Sequence, residues 1–288
     1  MKALRLTGLQ VIVTGSSGGI GEAIARAFAN AGGHVACVAR SADKLKTVVE
    51  DINGKGKGKA IAVGADVASP GGAQKILSQV EAELGPVDVL VNNAGIARIG
   101  ALIDEPEDTD IWWRVYEVNV RAPVTMIRAV LPSMLKRKTG YLISTSSSVA
   151  TMALPGMSAY ASSKAAISKF HQSLSLELKD TGITTFAVHP GVVNTNLGQG
   201  DNGINQASME HPAVKAFLST IDPNHHNQEP QLCANLMVAL SGDDRFKKLS
   251  GHHLNVEQDL EAVITDAEKG ENSRIQKENL YVVNIGAL

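Results

Sequence analysis

Six short apolar runs recur along the chain, each followed by a loop and a helically patterned stretch: Gln10 to Thr14, Val35 to Ala39, Ala60 to Val63, Val87 to Val91, Tyr141 to Ser144 and Thr184 to His189. Alternation of this kind is the rhythm of βαβ units, and it commits the chain to a parallel sheet. Runs such as QVIVT, HVACVA and VDVLV are apolar almost throughout, whereas a strand with one wet face would alternate. The expectation is a doubly wound α/β fold, with helices over both faces of a central sheet.

Such a sheet fits within 288 residues as a single domain with a tail. The expected division is a domain over residues 1–256 and a C-terminal extension over 257–288. A polar, glycine-containing insert from Asn196 to Asn227, with a short helical pattern at Pro212 to Leu218, follows the sixth run. Ligands of open α/β sheets bind beyond the carboxyl ends of the strands, so an insert there reads as a lid over about 196–227. The tail from Glu257 reads as a charged helix, a polar turn and a final apolar LYVVNI. Gly54 to Lys59, alternating glycine and lysine, reads as a mobile, solvated loop.

A formal charge of −2 and a pI near 6.4 exclude a general electrostatic grip on nucleic acid. Cys37 and Cys233 are the only cysteines, too few for a disulfide framework, and their usage fits a reducing cytoplasm. No stretch approaches the roughly 18 apolar residues of a membrane span, and the start lacks a signal peptide's apolar region. His225-His226 and His252-His253 are adjacent pairs, unlike the i, i+4 spacing of a helical zinc pair. They read as solvated loop histidines, and no metal is expected.

The segment from Val13 to Phe28, VTGSSGGIGEAIARAF, leaves a strand and opens a helix whose Ile20, Ala23, Ile24, Ala27 and Phe28 are helically spaced. Its glycines, Gly15, Gly19 and Gly21, allow a tight turn and a close approach to a pyrophosphate, whose charge rests on helix N-terminal amides. No lysine beside a serine or threonine is present, so this is not a P-loop. Further on, Tyr160 and Lys164 stand one helical turn apart and share a face.

Together these motifs resemble the short-chain dehydrogenase/reductase family. The resemblance rests on Thr14-Gly15-x-x-x-Gly19-x-Gly21, Asn92-Asn93-Ala94-Gly95, Asn119, the serines from Ser144 to Ser148, Tyr160-x-x-x-Lys164 and Pro190-Gly191-x-x-x-Thr195, in family order. The glycine spacing looks like that of the compact members. The resemblance implies a Rossmann-type fold and a dinucleotide held by Gly15, Ser17, Gly19, Ile20 and Gly21. It implies that Asp66 and Val67 contact the adenine, and that Asn93, with Ala94 and Gly95, lies near the adenosine-side ribose. Pro190, Gly191, Val193 and Thr195, with the Val192 backbone, would hold the nicotinamide carboxamide.

The second run ends Val38-Ala39-Arg40-Ser41. Ala39 stands where NAD-specific relatives carry an aspartate, and Arg40 follows it, as in NADP-preferring ones. A guanidinium suits a 2′-phosphate because its planar fork donates two bonds at once. Asp43 competes for the ribose, but it reads as a first-turn helix acid. NADP(H) is therefore the expected cofactor, preferred over NAD(H).

A free tyrosine, with a pKa of about 10, relays protons poorly at neutral pH. A nearby ammonium favours phenolate, so Lys164 is expected to lower the pKa of Tyr160. In the family this lysine also holds the nicotinamide ribose. Relatives place the catalytic serine 13 residues before the tyrosine, which selects Ser147 over Ser148. Asn119 holds, by resemblance, a water on the proton path.

The expected activity is NADP(H)-dependent hydride transfer to a ketone or aldehyde, as a carbonyl reductase, or from a secondary alcohol in reverse. A non-catalytic NADP sensor, or an epimerase or dehydratase that retains its cofactor, stands as the alternative. Leu154, Met152, Met157, Leu197, Phe217 and Leu218 point to a fairly apolar substrate. The resemblance implies a homodimer through the helices carrying Asn119 and Tyr160.

Overall fold

The structure, a computed structural model, describes residues 6–55, 58–194, 197, 203–220, 228–278 and 280–283. Its centre is one seven-stranded sheet in the order β3-β2-β1-β4-β5-β6-β7. The strands are β1 (Gln10–Thr14), β2 (His34–Ala39), β3 (Lys59–Gly64), β4 (Val89–Asn92), β5 (Gly140–Thr145), β6 (Ile183–His189) and β7 (His253–Asn255). Every pairing is parallel.

Consecutive strand residues feed opposite layers, as the pleat requires. Val11 and Val13 join one core with Ile24 and Phe28 of α1 (Gly19–Asn30), Leu45 and Val48 of α2 (Ala42–Gly54) and Met237 of α8 (Pro230–Gly242). Ile12, between them, faces the other core, with Ile76 of α3 (Gly72–Glu83), Met126 and Val130 of α5 (Ala122–Arg137) and Leu174 of α6 (Ser158–Glu177). Both faces of the sheet are thus covered, which is why its strands are continuously apolar.

Chain order runs outward from β1 in one direction to β3, then returns to β4 and runs outward the other way. The loops after β1 and β4 therefore part company, and a crevice opens between them at the carboxyl edge.

The His252-His253 pair corrects the expectation of solvated loop histidines. His253 begins β7, both side chains are half-buried, and burial lowers the pKa of His253 to about 4. His225 and His226 lie outside the described residues. The segment before β3 also departs from a mobile loop at Gly58, where a Cβ would lie 2.4 Å from the Gly33 carbonyl oxygen. Gly56 and Lys57 lie outside the described residues.

The tail packs rather than trails. Val263, Ile264 and Ala267 of α9 (Leu260–Ala267) and Ile275 of α10 (Arg274–Lys277) are buried in the core that contains Val11. Tyr281 accepts the backbone N–H of His253 through its carbonyl, at 2.6 Å, on the sheet's last strand. Among the described residues, no helix is long and apolar enough to cross a membrane.

Candidate active site

The first wall of the crevice is the turn from β1 into α1. Gly15 and Gly19 hold positive φ, at 70° and 57°, a region costly for side-chain-bearing residues. A Cβ on Gly21 would lie 2.2 Å from the Gly15 carbonyl oxygen and 2.5 Å from Asn93 Nδ2, so the helix meets the loop backbone to backbone. Ser17 is half-buried in the turn, and Ile20, in the first turn of α1, packs on the adjoining core. The free amides at this end of α1 suit an anion.

The opposite wall follows β4. Thr14 Oγ1 accepts the N–H groups of both Asn93 and Ala94, at 3.0 and 3.1 Å. Asn93 Nδ2 donates to the Thr14 carbonyl at 3.1 Å, and its Oδ1 accepts from Thr145 Oγ1 at 3.2 Å. Asn93 thereby braces the loops after β1, β4 and β5. Gly95 faces Asn119 Oδ1 and Lys164 Nζ, which a Cβ would meet at 3.3 and 3.6 Å.

Arg40 is exposed just beyond β2, and Asp43 lies in the first turn of α2, away from the strand end proper. Asp66 accepts from the Ala68 N–H at 2.9 Å and pairs through Oδ2 with Arg114 at 3.0 Å. The Val67 side chain rests on the core around Ile12. At the end of β6, Pro190 and Gly191 are buried, Val193 is half-buried and Val192 is exposed. Thr195 lies outside the described residues.

Asn119 sits in a π-helical turn, Glu117–Arg121, between α4 (Asp110–Tyr116) and α5. Such turns redirect helix groups and often mark functional sites. Its buried amide donates to the Ile96 carbonyl and to Ser163 Oγ, at 2.8 and 3.0 Å, and its Oδ1 accepts from the Ile96 N–H at 2.9 Å. The loop after β4 is thus tied to α6.

The four serines separate by direction. Ser144 Oγ reaches His171 Nε2 at 2.6 Å, and Ser146 Oγ reaches Ser168 Oγ at 2.7 Å, both in the buried layer under α6. Ser147 points to Tyr160 and also accepts from the Val149 N–H at 3.4 Å. Ser148 is half-buried at the start of a short helical turn.

Tyr160 and Lys164 both point inward from α6, at 7% and 4% exposure. One expectation is corrected here. Burial pushes the phenol up to about 12, offset in part by the Ser147 hydroxyl, and Lys164 does not bring it down. The ammonium is directed to the Thr145 carbonyl at 2.7 Å and lies 5.7 Å from the centroid of the phenol ring, not at its hydroxyl. Burial also lowers Lys164, to about 8. Around the phenol pack Ala97 and Val149, with Leu154, Met157 and Ala161 beside them.

Two neighbours of this crevice lie outside every sequence motif. Arg114 joins Asp66 to Glu117, two residues before Asn119, with Glu117 at 2.7 Å. Gln228 donates its backbone N–H to the Val192 carbonyl at 2.6 Å and places its side-chain carbonyl where a Cβ on Gly191 would stand. Neither has periodic or motif context that would have marked it.

Residues 10–203 match the family described as short chain dehydrogenase. A short chain dehydrogenase of Pseudocercospora fijiensis (strain CIRAD86) is 54% identical over 99% of this chain and 91% of its own length. The short chain dehydrogenase pigC of Monascus ruber is 33% identical over 90% of this chain and 82% of its own. A 7α-hydroxysteroid dehydrogenase solved with NADH and 7-oxo glycochenodeoxycholic acid superimposes with a TM-score of 0.74, at 29% identity, over 88% of this chain and 94% of that one. An NAD(P)-dependent gluconate 5-dehydrogenase homologue from Beutenbergia cavernae with bound NADP gives a TM-score of 0.72, at 30% identity, over 87% and 96%. This chain belongs to the short-chain dehydrogenase family.

Proposed function

We propose that the protein is an NADP(H)-dependent carbonyl reductase, which also runs in reverse on secondary alcohols. The observation that carries this reading is the inward-facing trio of Ser147, Tyr160 and Lys164 beside a crevice suited to a dinucleotide. Several features fit that cofactor: the glycine turn at positive φ, the Gly21 contact that leaves no room for a Cβ, and exposed Arg40 beyond β2. Relatives of this fold were solved with NADP and with NADH.

Gly15, Ser17, Gly19, Ile20 and Gly21 would receive the pyrophosphate and Arg40 the 2′-phosphate, with Asp66 and Val67 at the adenine. Asn93, Ala94 and Gly95 would flank the adenosine-side ribose, and Pro190, Gly191, Val193 and Thr195 the carboxamide. A bound nicotinamide supplies hydride to the carbonyl carbon. Ser147 donates a hydrogen bond to the carbonyl oxygen, where negative charge develops. Tyr160 gives that oxygen its proton, and Lys164, still an ammonium below about pH 8, keeps positive charge under the site. Asn119 orients the loop after β4 against α6.

The elevated phenol does not oppose this direction. A developing alkoxide is about as basic as hydroxide, and so far more basic than a phenolate. A phenol at about 12 therefore yields its proton downhill. Alcohol oxidation needs the phenolate, which burial disfavours, so the reverse reaction should quicken as pH rises. The apolar lining of Ala97, Val149, Leu154 and Met157 supports a fairly apolar substrate.

The division into a catalytic domain over 1–256 and an extension over 257–288 belongs to the same reading. So does a homodimer through α4, α5 and α6, whose Trp113, Leu135 and Leu176 are exposed large apolar side chains. The deciding experiment is NADPH oxidation over aliphatic, aromatic and polycyclic ketones, with NADPH binding measured in parallel. Binding without turnover of any ketone would favour a dinucleotide sensor, and cofactor oxidation that reverses without net loss would indicate an epimerase or dehydratase.

A further inference from the structure

Arg98 and Lys164 are the only buried cations among the described residues, and only Lys164 belongs to the site above. Arg98 forks onto Glu105, whose side chain is 1% exposed, with Nε to Oε1 and Nη2 to Oε2 both at 2.8 Å. Removing two charges from water costs more than a surface pair returns, so such a pair is better explained by position than by stability. Its geometric effect is plain: it closes the stretch from Arg98 to Glu105 into a rigid loop.

That loop grips the segment beginning at Gly203. Ile99 donates its N–H to the Gly203 carbonyl at 2.8 Å, and Asn205 donates its own to the Ile99 carbonyl at 2.7 Å. Asn205 Nδ2 donates to the Asp104 carbonyl at 3.0 Å. Ser208 Oγ accepts from the Ala101 N–H at 2.9 Å and donates to Asp104 Oδ2 at 2.8 Å. Ser208 and Asn205 are themselves buried.

A third stretch joins from the other side. Gly100 donates its N–H to the Gly156 carbonyl at 2.7 Å, and Val214 of α7 (Pro212–Ser219) packs 3.1 Å from where a Cβ on Gly156 would stand. Gly156 lies between Ser147 and Tyr160, and Ala97, next to Arg98, touches the Tyr160 cluster. The clasp thus ends against the proton donor.

We propose that this clasp determines substrate size class, with Asp104 and Ser208 as positioning residues. Held shut, it keeps the apolar wall of Ala97, Leu154 and Met157 at a fixed distance from the Tyr160 hydroxyl. A bulky apolar ketone draws binding energy from that wall far from its reacting carbon, while a short aliphatic ketone meets only the polar groups. The enzyme is therefore tuned to bulky carbonyl compounds. This rests on the carbonyl-reductase reading.

Ser208→Ala and Asp104→Ala open the seam, and Asp104→Asn, whose amide oxygen still accepts from Ser208, restores it. Three quantities are measured on each full-length variant: amide hydrogen exchange over 203–216 without cofactor, NADPH Kd by calorimetry, and kcat and KM for 9,10-phenanthrenequinone and 2,3-butanedione. In the alanine variants exchange should quicken, and the quinone KM should rise by about tenfold to a hundredfold with little change in kcat. Butanedione turnover and NADPH Kd should stay within about threefold, a split that general loosening would not produce. Parallel losses on both carbonyl compounds, weakened NADPH binding, or an unchanged quinone KM despite faster exchange would each overturn the clasp's role. An Asp104→Asn variant as impaired as the alanine would do the same. Wild-type protein that binds NADPH but reduces neither compound would instead overturn the underlying reading of the activity.

Discussion

On the cofactor side of the crevice, neighbouring segments meet backbone to backbone: Gly21 lies against the Gly15 carbonyl with no space for a Cβ, and Gly15 lies against the Ala94 backbone. On the substrate side the corresponding closure, between 98–105 and 203–208, adds side chains to the two backbone bonds of Ile99: Asn205 Nδ2 and Ser208 Oγ reach Asp104 and Ala101, and the Arg98–Glu105 pair stiffens one edge from within. Backbone contact admits few residue types and serves one ligand shape. Side-chain seams can be rebuilt with other residues at little cost to the fold, and so they are where substrate choice can diverge. Tyr160 stands where the two regimes meet.

The largest expected effect falls at that junction. Tyr160→Phe removes the proposed proton donor and leaves both walls intact, so ketone reduction should fall by about a thousandfold or more while NADPH Kd holds. Residual turnover within tenfold of wild type would place the proton source elsewhere and detach the phenol from both halves.

Next in size is the ionisation of Lys164. The folded protein releases its proton near pH 8, against about 10.4 for the unfolded chain. Below pH 8 both states are protonated and burial exerts its full penalty. Between those values the unfolded chain holds the extra proton, so this group's contribution to stability improves with rising pH, by about 3 kcal/mol in all. Tyr160, Cys37 and Cys233, each pushed up to about 12, act in the opposite sense at alkaline pH. The readout is therefore the difference between wild type and Lys164→Met in urea unfolding from pH 7 to 10.5. A difference that does not change with pH would mean the ammonium is hydrated and the site far more open than the side-chain packing implies.

Much of this was legible from residue order because parallel strands, glycine turns and motif spacing are local properties. β1 coincides with its apolar run, β2 and β6 begin one residue before theirs, β3 and β5 extend one residue further at both ends, and β4 starts two residues later and ends one later than its run. β7 was not legible: three residues containing a histidine show no strand signal, and β6 and Tyr281 make it a strand by pairing. At the site, the spacing of Tyr160 and Lys164 correctly implied a shared face. It could not show that the ammonium is drawn to the Thr145 carbonyl or that burial governs the phenol. The Arg98–Glu105 pair carried no signal either, since two charges in a polar loop look solvated until the chain folds over them.

A substitution on the cofactor side tests how strictly its backbone contacts are required. Gly21→Ala drives a Cβ into the Gly15 carbonyl and Asn93 Nδ2, and overpacking of this kind costs about 1–3 kcal/mol. Because the shift opens the turn that would receive the pyrophosphate, NADPH binding should weaken together with stability. Ser208→Ala, by contrast, should leave that binding alone. Equal effects of the two substitutions on NADPH Kd would erase the distinction between the walls.

The smallest expected effect comes from the cofactor side's own exception, a side chain with no backbone constraint. Arg40 is exposed, with no side-chain hydrogen bond or ion pair among the described residues, so Arg40→Ala should leave Tm unchanged. A phosphate contact in water is screened, and its loss should lower kcat/KM for NADPH by about tenfold with NADH little affected. The drop should shrink as salt is raised, because the contact would join two solvent-exposed charges. An unchanged ratio of NADPH to NADH would remove Arg40 from cofactor choice and leave the ribose to Asp43 one turn further on. Selectivity would then reside in the first turn of α2, and this half of the crevice would read its ligand without any exposed cation.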